Sequence, residues 1–184
     1  MYKDDDLAIR PIQKQDLDTL WELMYKEDSP EWKKWDAPYF PHQSMPYDKF
    51  MEGADTLINQ NERWVILIND VVCGTVSYYF EDVQQVWLEM GILILEGQNW
   101  GKGIGTRALR LWMSHIFHSL PVERVGLTTW SGNKRMIRVA EKMGMKMEAR
   151  IRKVRLYEGQ YYDSIRMGIL REEWENLNEV KDQE

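Results

Sequence analysis

The chain has 184 residues, a formal net charge of −6 at pH 7, 43% hydrophobic and 29% charged residues, and one cysteine. That length suits one domain with a core of its own, and the lone Cys73 excludes an intrachain disulfide. The acidic balance argues against a nucleic-acid partner and mildly favours a cationic one. No apolar run approaches the ~20 residues of a membrane-spanning helix. No signal-peptide core follows the acidic start Met1-Tyr2-Lys3-Asp4-Asp5-Asp6, so no membrane association and a cytoplasmic location are expected.

In chain order, Leu7–Pro11 reads as a first strand, and Asp16 stands as a cap before a helix with Leu17, Leu20, Trp21 and Met24 on its apolar face. Residues 29–45 hold three prolines and many aromatics, a loop with content of its own. Pro46 opens a second helix toward Asn59. Residues 64–68 and 71–79 flank Asn69-Asp70, a hairpin signal. Residues 86–95 read as a strand and lead into Trp100-Gly101-Lys102-Gly103-Ile104-Gly105-Thr106. A helix to about His118 follows, with Leu109, Trp112, Met113, Ile116 and Leu120 on one face. Beyond Pro121, residues 124–129 form a strand. Ser131-Gly132-Asn133 starts a helix that stops at Gly144. Lys146–Tyr157 and Gln160–Leu170 are strands joined at Glu158-Gly159. The order β-α-α-β-β-β-α-β-α-β-β is that of an α+β fold: a mixed, mostly antiparallel seven-stranded sheet flanked by helices, with one parallel crossover at the glycine turn. One domain is expected over residues 7–174, with residues 175–184 as an acidic tail and fraying beyond Arg171.

Three glycines at alternate positions let the backbone come close to a ligand, and a helix N-terminus supplies free amides and a positive dipole end. Together they predict a pyrophosphate cradle. Gly103-Ile104-Gly105-Thr106-Arg107-Ala108 also fits the dinucleotide pattern G-x-G-x-x-G/A, with Glu123 downstream. That fingerprint belongs to a repeating β-α-β half, however, and hairpins precede and follow this turn. The nucleotide loop G-x-x-x-x-G-K-[ST] is absent. A turn with a purely structural role is the remaining alternative.

With these motifs in order, the chain resembles the GCN5-related N-acetyltransferase (GNAT) superfamily over roughly Leu7 to Trp174, and within it the branch of ribosomal-protein N-terminal acetyltransferase-like proteins. The resemblance rests on the Trp100–Thr106 loop, on Asn133 ahead of Val139-Ala140-Glu141-Lys142-Met143-Gly144-Met145, and on Gly159-Gln160-Tyr161-Tyr162-Asp163-Ser164 leading to Trp174. It implies a GNAT-like, acyl-CoA N-acyltransferase fold, acetyl-CoA as co-substrate and no metal. Backbone amides of Gly101, Lys102, Gly103, Ile104, Gly105 and Thr106, with Trp100 ahead of them, would hold the pyrophosphate. Leu93, Ile94 and Leu95 would offer backbone groups to the pantetheine arm. Asn133 would hydrogen-bond the cofactor, or serve as a plain helix cap.

Transfer to an amine needs a neutral nucleophile, a stabilised oxyanion and a protonated leaving thiol. A backbone amide near Leu93 suits the oxyanion. Glu89, a carboxylate inside an apolar strand, is the candidate general base; its alternative is a structural ion pair, with Glu81 and Asp82 as second candidates. The family's tyrosine before Glu-Lys-x-Gly is replaced by Ala140, so the acid for the thiol stays open between the ammonium, water, Tyr157 and Tyr162. Cys73 sits mid-strand beside Gly74 and reads as core. His115 and His118 share a helix face without further ligands. Trp32, Trp35 and Tyr39, with Glu31 and Asp36, suit a cationic acceptor, or else cover the core or a dimer contact. Loss of Trp35 is therefore expected to raise the acceptor KM and leave acetyl-CoA affinity nearly alone. The function expected is acetyl-CoA-dependent N-acetylation of a primary amine, small or a protein N-terminus, by direct transfer in a ternary complex. The alternative is a catalytically silent acyl-CoA-binding regulatory domain. A homodimer is left open.

Overall fold

A computed structural model describes residues 1–181. Its strands are β1 (Tyr2–Asp4), β2 (Leu7–Pro11), β3 (Arg63–Ile68), β4 (Val71–Phe80), β5 (Leu88–Ile94), β6 (Arg124–Trp130), β7 (Lys146–Tyr157) and β8 (Gln160–Leu170). Its helices are α1 (Leu17–Met24), α2 (Tyr47–Ala54), α3 (Ile104–Ser119), α4 (Lys134–Lys142) and α5 (Arg171–Lys181). The strands order as β1-β2-β3-β4-β5-β6-β8-β7. β5 and β6 run parallel, at Leu88↔Val125 and Glu89↔Gly126. The sheet is mixed as expected, with eight strands where seven were expected. The extra one is β1, paired with β2 at Tyr2↔Ile9; three residues are too few to carry an alternation signal.

The described residues form two compact units, Met1–Ser77 with Ile92–Trp112, and Tyr78–Gly91 with residues 113–181. In the first, Leu7, Ile9, Val65, Ile66 and Val76 are fully buried. The β3–β4 hairpin turns on Asn69 and Asp70, with φ of 48° and 64°, the left-handed pair a two-residue turn of this hand requires. Trp112 of α3 lies 5.2 Å from the ring of Trp64 and donates its indole N–H to Ser77 O at 3.0 Å. Asp16 differs from expectation. It precedes α1 without capping it through its side chain, and instead accepts two hydrogen bonds from the buried Arg10, at 2.6 and 2.8 Å, and one from the Gln13 amide.

In the second unit β6 pairs with β8, and β8 with the edge strand β7. The β7–β8 turn places Glu158 and Gly159 at φ of 46° and 74°. α4 stops as its glycine predicts: Gly144 takes φ 86°, its amide bonds Glu141 O, and Met145 N bonds Ala140 O, the paired closure that covers a helix's last carbonyls. Of the chain beyond Arg171, expected to fray, the described part forms α5 (Arg171–Lys181). Arg171 donates to the carbonyls of Phe117, Leu120 and Val122 at 2.7, 2.8 and 2.8 Å, which anchors the start of α5 to the end of α3. Trp174 is buried and stacks on Phe117. Residues 182–184 of the expected tail lie outside the described residues. Among the described residues no helix is long and apolar enough to cross a membrane.

Candidate functional site

The glycine turn has the geometry an anion asks for. Gly101 and Gly103 sit at φ +78° and +80°, and a Cβ on either would meet nothing within 4 Å. The demand for glycine there is conformational. Gly105 is already helical, its nearest neighbour being Ile92 Cδ1 at 3.9 Å from a Cβ. The first intrahelical bond runs from Arg107 N to Gly103 O at 3.1 Å, so helix geometry leaves the amides of Ile104, Gly105 and Thr106 without intrahelical acceptors. Gly101, Lys102 and Gly103 are exposed. A pyrophosphate fits this cradle. Arg107 is turned to other work: it pairs with Asp4 at 2.6 Å and Asp6 at 2.9 Å.

The backbone ahead of the turn is partly engaged. Leu95 donates its amide to Cys73 O at 2.9 Å, which removes that donor from any pantetheine contact. Ile94 O accepts the Trp100 indole N–H at 3.1 Å. Leu93 O lies over Gly74, 2.4 Å from where a Cβ would stand. Cys73 is buried, and burial, aided by Glu96, pushes its thiol up to about 12. It is no nucleophile at neutral pH.

The aromatic loop divides. Trp32 belongs to the core: it is 8% exposed, donates to Leu23 O at 3.2 Å and packs edge-on against His42. Trp35 and Tyr39 remain half-buried, Trp35 standing edge-on to Trp100 with centroids 6.0 Å apart. Asp36 is paired with Lys33, and Glu31 accepts the Gly97 amide at 2.8 Å.

Glu89 is fully buried in the second unit. Its carboxylate accepts from Thr128 Oγ1 at 2.9 Å, Trp87 Nε1 at 3.2 Å and Arg124 Nη1 at 3.3 Å, with Arg166 Nη1 at 3.9 Å. The two guanidiniums lie over the Trp87 ring at 5.8 and 5.5 Å. Burial opposes the charge on Arg124, but bonds to Glu148 and the pull of Glu89 outweigh it and raise its basicity. Burial and then the charges of Glu81 and Glu89 raise the Tyr79 phenol above its ordinary range. Asp82, a second candidate base, is spent on its own turn, accepting the amides of Gln84, Val86 and Trp87. Glu81 pairs with Arg166 at 3.3 Å. Asn133 caps α4, accepting the Met136 amide at 3.0 Å.

Sequence reasoning missed Trp87, Arg124, Thr128 and Arg166 around Glu89. Trp87, two residues before Glu89 in the stretch 86–95 read from the sequence as a strand and just ahead of β5 in the structure, carried a usable signal; the others arrive through strand register.

The model of the Acetyltransferase (GNAT) domain family matches residues 6–146. The chain belongs to the GNAT family of acetyltransferases. It is 26% identical over 180 residues to YdaF of Bacillus subtilis (strain 168), provisionally named a ribosomal N-acetyltransferase, covering 93% of this chain and 94% of that one. It is also 26% identical over 174 residues to the spermidine N(1)-acetyltransferase of Escherichia coli (strain K12), covering 91% and 88%. Among solved structures, a GNAT acetyltransferase from Bacillus anthracis superposes with a TM-score of 0.72 at 18% identity, covering 92% and 98%. The fold is thus that of GNAT enzymes.

Proposed function

We propose that this protein transfers the acetyl group of acetyl-CoA directly to a small primary amine, one that is cationic at neutral pH. The observation that carries the reading is the glycine turn: two left-handed glycines leading into a sixteen-residue helix whose first amides are oriented for phosphate, in a chain of this family. Acetyl-CoA supplies the activated thioester. The amides of Ile104, Gly105 and Thr106 bind its pyrophosphate, and the Leu93 amide is assigned to the carbonyl oxygen as charge develops there. The high, buried thiol of Cys73 supports direct transfer over an acyl-cysteine route. A spermidine-acetylating relative and the half-buried Trp35 and Tyr39 support a small cationic amine.

Glu89 takes the proton released by the amine in this reading. The three donors on its carboxylate favour a second one, in which Glu89 is a fixed buried ion-pair partner of Arg124 and the proton leaves to water. Ala140 is buried where the family resemblance implies a tyrosine, so the thiol takes its proton from solvent, from the amine itself, or from Tyr157 or Tyr162. Free-thiol release from acetyl-CoA, followed with spermidine, an amino acid and an N-terminal peptide, tests the function. Release with spermidine alone is expected; tight acetyl-CoA binding without release from any amine would mark a silent binding domain instead.

A further inference from the structure

The loop expected to serve only the acceptor is bonded to the turn that leads into the cofactor cradle. Glu31 Oε2 accepts the amide of Gly97 at 2.8 Å, across 66 positions of sequence. Gly97 is the first residue of a short 3-10 turn, Gly97–Asn99, so this amide is one a helix start leaves without an internal partner. Glu31 caps it from a distant segment. A Cβ on Gly97 would lie 2.3 Å from Glu31 Oε1, so the close approach itself needs glycine. The turn's own Glu96 carboxylate bonds the side chains of Gln98 and Asn99. Four residues beyond Glu31, Trp35 stands edge-on to Trp100 at 6.0 Å and 89°. Trp100 is tied back to β5 through Ile94 O and to the turn through Gly97 O, and Gly101, the first left-handed glycine, follows it directly.

We propose that Glu31 and Trp35 are positioning residues for acetyl-CoA, acting through Gly97 and Trp100 to set the path into the glycine turn. The proposal rests on that turn being the pyrophosphate site. Residues of the acceptor loop then influence cofactor affinity, contrary to the expectation that Trp35 serves the acceptor alone.

Calorimetry of the full chain with acetyl-CoA tests this, each variant also being checked by thermal unfolding. A single partly exposed hydrogen bond sets the expected scale, so Glu31→Ala weakens acetyl-CoA binding about threefold to tenfold. Glu31→Gln keeps an acceptor oxygen and restores most of the affinity. Gly97→Ala, which pushes Glu31 aside, loses affinity like Glu31→Ala, and the double variant loses no more than either single one. Trp35→Ala weakens binding in the same sense. Glu31→Ala within twofold of wild type, while Gly105→Asp abolishes binding, would overturn the positioning role and leave the glycine turn standing. Additive losses in the double variant would also overturn it. If Gly105→Asp binds as wild type does, the cradle assignment falls and takes the positioning role with it.

Discussion

A Cβ on Gly126 would stand 2.4 Å from Glu89 Oε1 and 2.6 Å from both terminal nitrogens of Arg124. The buried ion pair therefore fills the volume of a side chain that β6 lacks at its parallel partner position, Glu89↔Gly126. Gly126→Ala must shift the carboxylate or the half-buried guanidinium, which also pairs with Glu148. Where it separates them, the fully buried Glu89 loses its charged partner, with about 3–5 kcal/mol as the upper end of the cost. Denaturant unfolding is the measurement. A loss below about 1 kcal/mol would show that the carboxylate and guanidinium have room to move, on the scale of ordinary substitutions.

Glu89→Gln separates the two readings of that carboxylate. As general base, its loss lowers kcat/KM about 10²–10⁴-fold near neutral pH. Activity then recovers at high pH, where the amine is already neutral. As an ion-pair partner alone, the substitution leaves kcat within a small factor at every pH and appears in the unfolding curve. The pH profile of kcat/KM, taken with chemistry rate-limiting, decides between them.

Gly105→Asp should fold normally and lose acetyl-CoA. Gly105 is already helical and a new Cβ has space, while an anion in the first turn favours the helix and repels a phosphate. Gly103→Ala behaves differently. Its φ of +80° imposes a left-handed cost of roughly 1–2 kcal/mol on any side chain. Melting and calorimetry of the two variants should therefore separate: affinity lost without stability in one, stability lost in the other.

Cys73 should resist alkylation at neutral pH until the chain unfolds. Its thiol is buried and pushed up to about 12 from an ordinary value of 9.0. The sign for stability follows: the unfolded thiol ionises first, so this stabilisation is complete below pH 9.0 and is lost as pH rises toward about 12. Rapid labelling of folded protein at neutral pH would contradict the burial, and Ellman kinetics with and without urea measure it.

Most of the elements, and the glycine turn among them, were legible in the sequence because their causes are local. Left-handed glycines, a capping asparagine, the Gly144 closure and the alternation of β strands each act within a few residues of chain. The missing strand was β1, too short to alternate. Helix α5 was missed because its anchor, Arg171 on the carbonyls of α3, joins positions about fifty residues apart.

The sequence by itself determined the turn chemistry, the order of all elements but β1 and α5, and the family. The tertiary structure alone decided what surrounds Glu89 and what Glu31 holds. Glu89 read as a lone acid in an apolar strand until strand pairing brought Thr128, 39 residues away, and Arg124, 35 residues away, against it. Glu31 read as part of an acceptor wall until the fold set it on Gly97. A charged side chain's partner is chosen by register and packing, which no local spacing encodes, whereas a dihedral or a cap is set by the residue and its immediate neighbours.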